Sequence, residues 1–382
     1  MRELNLHVPT KIFSSHTALA SLDETCFSGG KRVLLVTNDS LQGGYALKMI
    51  REAAEEKGID IIIKPEVSPF STDEVVDRLR EIARISYVEG VIGFGDVAAL
   101  STARTVAVLH KSVLHTSELS ADMNRNPQAL PYLEIPAAYS SPFFFNGGVV
   151  LNDRYDRTSR FVYMNNFRPS AFIQDPALLK DFSRKYRIAS LLETLLLAVE
   201  GYFSNDATYF SDTLLLRGIG LSIDTLPGML QRPDDIDIVF KAQQAGFFTG
   251  YGLAMSSPGW GTAASYILGS LLRVPPPIIA TVLLPYVLEY GLKFCPEKVA
   301  RMGNMLGENL KGLSVVAAAD RVVESIRASL GVEQLPGRLS ELGIQDTHLS
   351  QTVSKVMEVP FITSLPGLIG PPELFTFLEN AL

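Results

Sequence analysis

The sequence predicts an α/β domain built on a parallel, wound β-sheet, followed by an all-helical domain. From residue 32 onward, short apolar runs alternate with amphipathic helical stretches. Strands separated by helices of this length form parallel βαβ units. Beyond Pro176 the pattern is helical almost throughout. A chain of 382 residues is also long enough for two buried cores, so we expect domains at 1–175 and 176–382.

The N-terminal domain is predicted to open with a strand. Residues 1–13 (MRELNLHVPTKIF) alternate apolar and polar side chains, which indicates a strand rather than a signal peptide. Gly58 is a suitable C-terminal stop for the first helix, and Thr72 is the expected N-cap of the second. The predicted strands are residues 1–13, 32–38, 60–65 and 88–94, and the predicted helices are residues 44–57 and 72–86.

The C-terminal domain is predicted to be helical, with periodic stretches at 188–204, 211–223 and 234–255 and several more before residue 382. The apolar run Val274–Leu292 (VPPPIIATVLLPYVLEYGL) is interrupted by prolines. We therefore expect it to be too short to span a bilayer and its PPP segment to be a stiff connector between helices. The cleft between the two domains is the expected site for a small molecule.

Composition excludes several classes of partner. The formal net charge is −7 and is spread without long single-sign runs, so we expect no nucleic-acid or membrane partner. Cys26 and Cys295 are far apart and form no ligand motif, which favours a reducing compartment over a disulfide framework or a zinc cluster. The sequence therefore predicts a cytoplasmic protein.

The stretch VIGFGDVAALSTAR, residues 91–104, has the pattern of a strand, a glycine turn and a helix. Such turns hold phosphates because free backbone N–H groups and the helix dipole face the ligand. Gly93 and Gly95 allow close approach, but Asp96 and Val97 follow where further small residues would help. Asp96 is placed to cap the helix that begins at Val97 and to accept its N2 or N3 amide, which a phosphate would otherwise use. The turn alone is therefore weak evidence for nucleotide binding.

Framework motifs along the chain match one known family. They are Ile135-Pro136, Asp175-Pro176, AVEGY at 198–202 and LLPYV at 283–287. With them the chain resembles the iron-containing (group III) alcohol dehydrogenases, relatives of glycerol dehydrogenase and dehydroquinate synthase. The resemblance implies the dehydroquinate synthase-like fold, an NAD(P) cofactor, a small alcohol or aldehyde substrate and a homodimer, often formed through the first strand region. The family's turn has the sequence Gly-Gly-Gly-Ser, where this chain has Gly95-Asp96-Val97-Ala98, followed by Ser101 and Arg104.

The family's functional residues are not matched. The resemblance implies a divalent metal held by one aspartate and three histidines of the helical domain. The four matching positions here are Glu193, Leu197, Thr262 and Pro276, and Tyr266 matches a histidine near the nicotinamide. The five histidines of the chain lie elsewhere, and one carboxylate with one hydroxyl does not hold a transition metal. We expect no metal at this site, and Glu193 is expected to be a carboxylate on the helix surface or in the cleft.

Two functions stay open. The first is a protein that keeps the dehydrogenase fold without metal-dependent redox chemistry and binds a small molecule or serves as an assembly subunit. The second is a metal-independent NAD(P)-dependent oxidoreductase, in which Tyr266, Tyr139 or Thr262 donates a hydrogen bond to a carbonyl oxygen. Cofactor contacts in either case are expected from the turn residues and from Ser101 and Ser140. Because both the metal positions and the phosphate turn have changed, the first hypothesis is favoured, and binding of NAD(P) is doubtful.

Overall fold

The computed structural model describes residues 8–68, 70–119, 129–164, 167–330, 335–367 and 369–382. Within the described residues it divides into two compact units, one made of residues 8–138 and 145–183, the other of residues 139–144 and 184–382. The short segment Tyr139–Phe144 therefore packs with the helical unit, although it follows a strand of the sheet. The prediction of an α/β unit and a helical unit is confirmed.

The α/β unit is built on a parallel sheet with strand order β1-β8-β5-β4-β2-β3 among the described residues. A second, antiparallel pair is formed by β6 and β7. The strands are β1 (Lys11–Ser14), β2 (Arg32–Asn38), β3 (Asp60–Val67), β4 (Gly90–Gly95), β5 (Tyr132–Pro136), β6 (Gly148–Asn152), β7 (Ser159–Tyr163) and β8 (Ala171–Gln174). The observed part of the predicted opening strand is β1, and residues 1–7 lie outside the described residues.

Three α-helices lie between these strands in the described part of the unit: α1 (Tyr45–Glu56), α2 (Asp73–Ile85) and α3 (Val97–Leu109). Apolar residues of β2 alternate between the two sheet faces, with Val33 and Leu35 in the core beside α1, and Leu34 and Val36 in the core beside α2 and α3. Thr72 occupies the N-cap position of α2 as predicted, but its side chain makes no capping hydrogen bond.

The helical unit contains α4 (Arg184–Phe203), α5 (Tyr209–Gln231), α6 (Ile236–Leu253), α7 (Trp260–Leu272), α8 (Pro276–Phe294), α9 (Pro296–Met302), α10 (Val315–Ser329), α11 (Asp346–Met357) and α12 (Pro371–Asn380). Helix α4 is its centre, since nearly every side chain from Arg187 to Phe203 is buried. A helix that is buried all round needs neighbours on every side, which the helices packed around α4 supply.

The prediction that prolines interrupt the run Val274–Leu292 and make its PPP segment a connector is wrong. Its prolines do not divide it, because Pro276 and Pro277 lie at the start of α8, where a missing N–H is tolerated, and Pro285 lies inside the continuous helix. Among the described residues, α8 is the helix long and apolar enough to cross a membrane, and 61% of its most apolar 18-residue stretch is buried within the protein. This burial is typical of a core helix.

Candidate functional site

The turn after β4 is closed by Asp96. This residue is the N-cap of α3, and its carboxylate accepts the backbone N–H of Ala99 at 3.0 Å. The prediction that Asp96 caps the helix beginning at Val97 is confirmed. Burial raises the pKa of the Asp96 carboxyl, although hydrogen bonds from Asn38 and Ala99 act in the opposite direction. In phosphate-binding turns this backbone N–H group donates to the phosphate. Here the Ala99 N–H donates to the Asp96 carboxylate instead.

Asn38, at the end of β2, completes this arrangement. Its amide Nδ2 donates to Asp96 Oδ1 at 2.9 Å, and its Oδ1 accepts the Asp96 backbone N–H at 2.9 Å. Gly95 makes room for the pair, because its φ is +144° and a Cβ there would lie 2.2 Å from Asn38 Oδ1. Sequence reasoning missed Asn38. The available signal was its place at the end of the strand next to β4, since the carboxyl ends of parallel strands share one edge.

Gly93 and Ser101, both predicted to contact a cofactor, make contacts within the protein. A Cβ at Gly93 would lie 2.7 Å from the hydroxyl of Tyr132. The Ser101 hydroxyl accepts the backbone N–H of Val150 at 3.2 Å, and its side chain is buried. Gly93 therefore leaves room for the side chain of Tyr132 from the neighbouring strand β5, and not for a ligand.

Arg104, one turn further along α3, is buried in the α/β unit. Its guanidinium donates to the carbonyl oxygens of Asn146 and Gly148 at 2.9 and 2.7 Å and to Glu134 Oε2 at 2.5 Å. Glu134 is also buried, so this is a fully desolvated ion pair. The pair links α3 to β5 and to the segment that leads into β6.

Thr262, predicted as a hydrogen-bond donor in catalysis, lies in the first turn of α7 and is joined to α4. Its hydroxyl donates to Glu200 Oε2 at 2.5 Å. The same carboxylate accepts the backbone N–H groups of Gly259 at 2.9 Å, Gly261 at 2.7 Å and Thr262. Glu200 thus caps α7 from a neighbouring helix, although the sequence showed it only as part of the AVEGY motif. Burial raises the pKa of Glu200 to about 7.

Tyr266, one turn beyond Thr262, is joined to α4 in a similar way. Its phenol donates to Glu193 Oε1 at 3.1 Å. Glu193 is only 2% exposed, so of the two expected places, the helix surface and the cleft, the helix surface is wrong. Two carboxylates of α4, two turns apart, therefore bind two hydroxyls of α7, one turn apart.

The other two positions that match metal ligands carry no donor atom. Leu197 is a fully buried aliphatic side chain of α4, and Pro276 is the first residue of α8. Together the four positions offer one carboxylate and one hydroxyl, and the hydroxyl is bonded to Glu200. No cluster of three or more His, Cys, Asp or Glu side chains suited to a metal occurs in the part of the chain that the structure describes. These side chains do not fit a transition-metal ion, which needs three or four donors.

Tyr139 and Ser140 pack into the helical unit. The Tyr139 phenol lies 3.7 Å from the sulfur of Met229, and burial raises its pKa. The Ser140 hydroxyl shares a hydrogen bond of 2.8 Å with Thr194 of α4. A Cβ at Gly246 of α6 would lie 1.6 Å from the Tyr139 carbonyl oxygen, so backbone and helix are in direct contact.

Comparison with known proteins identifies the family. Residues 9–176 match the model of the iron-containing alcohol dehydrogenases, and residues 187–368 match the C-terminal model of the Fe-containing alcohol dehydrogenase family. An NAD-dependent methanol dehydrogenase of Bacillus methanolicus is 22% identical, with 93% of each chain covered.

Two solved structures show the same fold over nearly the whole of both chains. A 1,3-propanediol oxidoreductase superposes with a TM-score of 0.92 at 23% identity, covering 100% of each chain. A sulfoacetaldehyde reductase from Bifidobacterium kashiwanohense, in complex with NAD+, gives 0.84 at 18% identity, covering 100% of this chain and 99% of the other. With the two family models accounting for most of its length, the chain belongs to the iron-containing alcohol dehydrogenase family.

Proposed function

We propose that this protein is a cytoplasmic member of the iron-containing alcohol dehydrogenase family that works without a catalytic metal and serves as a small-molecule-binding protein rather than an alcohol dehydrogenase. The proposal rests on the side chains at the four positions that match the family's metal ligands, because they supply too few metal-binding atoms. Leu197 and Pro276 supply no donor, and the Thr262 hydroxyl is bonded to Glu200. A metal acts in such reactions as a Lewis acid on the carbonyl or alkoxide oxygen, so its loss removes several kcal/mol of transition-state stabilisation.

The hydroxyls that could replace the metal are engaged within the protein. The Tyr266 hydroxyl donates a hydrogen bond to Glu193, and the Thr262 hydroxyl donates one to Glu200. Tyr139 is fully buried beside Met229. A hydroxyl donates one hydrogen bond, so a donor already bonded to a carboxylate must break that bond before it reaches a substrate. This arrangement supports a binding role over metal-independent hydride transfer.

We also propose that the affinity of this protein for NAD(P) is low. The NAD+ complex of the sulfoacetaldehyde reductase and the family itself favour an NAD(P) site in the α/β unit. At the turn, however, the carboxylate of Asp96 accepts the Ala99 N–H and is held by Asn38. A dinucleotide pyrophosphate there must displace this carboxylate or face its charge. We therefore expect millimolar or weaker affinity for NADH and NADPH.

The test combines binding with turnover. Wild-type protein and the Asp96→Gly variant are titrated calorimetrically with NADH and NADPH, and NADH oxidation is then followed with small aldehydes, with and without added ferrous ion or zinc. We expect little or no heat from the wild type, tighter binding by Asp96→Gly, and no turnover by either. Asp39→Asn is the matched control, since it removes a neighbouring charge and leaves the capping bond intact.

Each other outcome has a definite meaning. Turnover that requires added metal would overturn the proposal. Turnover without metal that is lost in Tyr266→Phe would establish the second hypothesis, a metal-independent NAD(P)-dependent oxidoreductase. Equal affinities of wild type and Asp96→Gly would show that Asp96 does not face a bound nucleotide.

A further inference from the structure

An open groove lies between α1 and the edge strand β3, on one face of the sheet. It has a volume of about 360 Å³ and is lined by Arg51, Glu55, Ile59, Asp60, Ile61 and Ile63. All six residues belong to the α/β unit. A volume of this size is near the lower limit for sites that hold small molecules.

Isoleucines form the floor of the groove. Ile59 is 3% exposed, and Ile61 and Ile63 are half-buried where they pack against the core beside α1. Because β3 is the terminal strand of the sheet, no other described strand lies beyond these two side chains. Part of their apolar surface therefore stays in water, and covering it with the hydrocarbon group of a ligand is favourable.

The wall formed by α1 carries one cation and one anion, Arg51 and Glu55, spaced one turn apart. Both side chains are exposed, and neither forms an ion pair with any residue that the structure describes. Lys48 and Glu52 have the same spacing on the same helix and do form an ion pair, with 3.7 Å between Lys48 Nζ and Glu52 Oε1. In contrast to that pair, Arg51 and Glu55 are available to the charges of a ligand.

Asp60, the third charged residue of the groove, is already neutralised. The Arg32 guanidinium donates from Nε to Asp60 Oδ2 at 2.9 Å. The described lining therefore offers one unpaired guanidinium and one unpaired carboxylate above an apolar floor. A ligand with a single charge leaves one of these two groups unmatched, whereas a zwitterion matches both.

We propose that this groove binds a free apolar amino acid such as leucine, a zwitterion with an aliphatic side chain. The ligand carboxylate accepts two parallel hydrogen bonds from the Arg51 guanidinium, and the ligand ammonium donates to the Glu55 carboxylate. The aliphatic side chain covers Ile61 and Ile63. The spacing suits adjacent ligand charges, because Cβ atoms one turn apart on a helix are about 5–6 Å from each other. Since the groove is open to water and the ligand is small, we expect a Kd of about 1 mM.

Methyl NMR locates the binding directly. Protein labelled with ¹³C at the isoleucine δ1 methyl groups is titrated with leucine up to about 20 mM, which nearly saturates a site with a Kd of about 1 mM. We expect saturable shifts of the Ile61 and Ile63 signals and no shift of Ile267, which is fully buried in α7. The variants Ile61→Val and Ile63→Val identify the two signals.

Variants of the two charges test how the ligand is recognised. Arg51→Gln and Glu55→Gln each remove one charged contact and should weaken leucine binding at least about tenfold. Lys48→Gln and Glu52→Gln are the matched controls, since they change the ion pair on the same helix outside the groove lining. Both controls should bind leucine with the affinity of the wild type.

Ligand analogues separate the three contacts. Leucinamide lacks the carboxylate, N-acetylleucine lacks the ammonium, and glycine lacks the aliphatic side chain. Each analogue should bind at least about tenfold more weakly than leucine.

Four results would overturn the proposal. They are the absence of shifts over the whole titration, shifts confined to other isoleucines, equal affinity of Arg51→Gln and the wild type, and binding of N-acetylleucine as tight as that of leucine. The groove shares no residue with the turn after β4 or with the positions that match metal ligands. These results are therefore distinct from the outcome of the nucleotide and metal experiments.

Discussion

Replacement of Glu200 by alanine removes the acceptor that joins the start of α7 to α4. Four donors lose their partner in this variant: the N–H groups of Gly259, Gly261 and Thr262 and the hydroxyl of Thr262. A buried donor left unsatisfied costs about 1–3 kcal/mol. Since such costs are not additive and water can enter the space left by the side chain, we expect a total loss of about 4 kcal/mol in the free energy of unfolding.

Urea unfolding at pH 7 measures this loss. Trp260 is the only tryptophan of the chain and the first residue of α7, so its fluorescence reports on the segment that Glu200 holds. Thr262→Val removes one of the four donors together with its bond and should cost about 1–2 kcal/mol. Glu324→Ala changes an exposed glutamate of α10 and should stay within about 0.5 kcal/mol of wild type. A loss below about 1 kcal/mol for Glu200→Ala would refute the assignment of Glu200 as the cap of α7.

Three further predictions concern pH, backbone conformation and the buried ion pair. Because burial raises the pKa of Glu200 from 4.5 to about 7, its stabilising contribution is complete below pH 4.5 and is lost as the pH rises through 7. Thermal unfolding from pH 5 to pH 8 should show up to ~3 kcal/mol of this loss in wild type and none in Glu200→Gln. Gly95→Ala combines a positive φ with a clash against Asn38 and should cost about 2–4 kcal/mol in urea unfolding. Gly58→Ala, with a positive φ but open space, should cost about 1 kcal/mol. Arg104→Met leaves the buried Glu134 carboxylate without its cation and should cost about 3–5 kcal/mol, and the additional replacement Glu134→Leu should recover most of that loss.

The α/β unit was predictable wherever local periodicity decides the structure. Strand β2 covers residues 32–38 as predicted, and α1 begins and ends within one residue of the predicted 44–57. Both elements have apolar residues on the faces that pack, and Gly58, with a positive φ, follows α1. The prediction that prolines interrupt the run Val274–Leu292 was wrong for a physical reason. Proline ends a helix in general, but the first turn of α8 has no need of the N–H groups that Pro276 and Pro277 lack.

The candidate site was predictable only where the interaction is local. Asp96 caps a helix that starts at the next residue, so the preference for aspartate at helix N-caps was sufficient to predict its role. Its partner Asn38 is 58 residues away, and Glu200 is 62 residues from Thr262. Pairs of this kind depend on which elements become neighbours after folding. For the same reason the burial of Glu193, which binds Tyr266 from another helix, was not foreseen.

Metal binding is the most direct test of the central claim. Purified protein is incubated anaerobically with ferrous ion or zinc, freed of excess metal by gel filtration, and analysed for metal per chain together with its thermal unfolding temperature. We predict no stoichiometric metal and no shift in unfolding temperature with either ion, because Leu197, Thr262 and Pro276 do not complete a site around Glu193. One equivalent of metal per chain, lost in Glu193→Ala and kept in the exposed-site control Glu324→Ala, would contradict the claim.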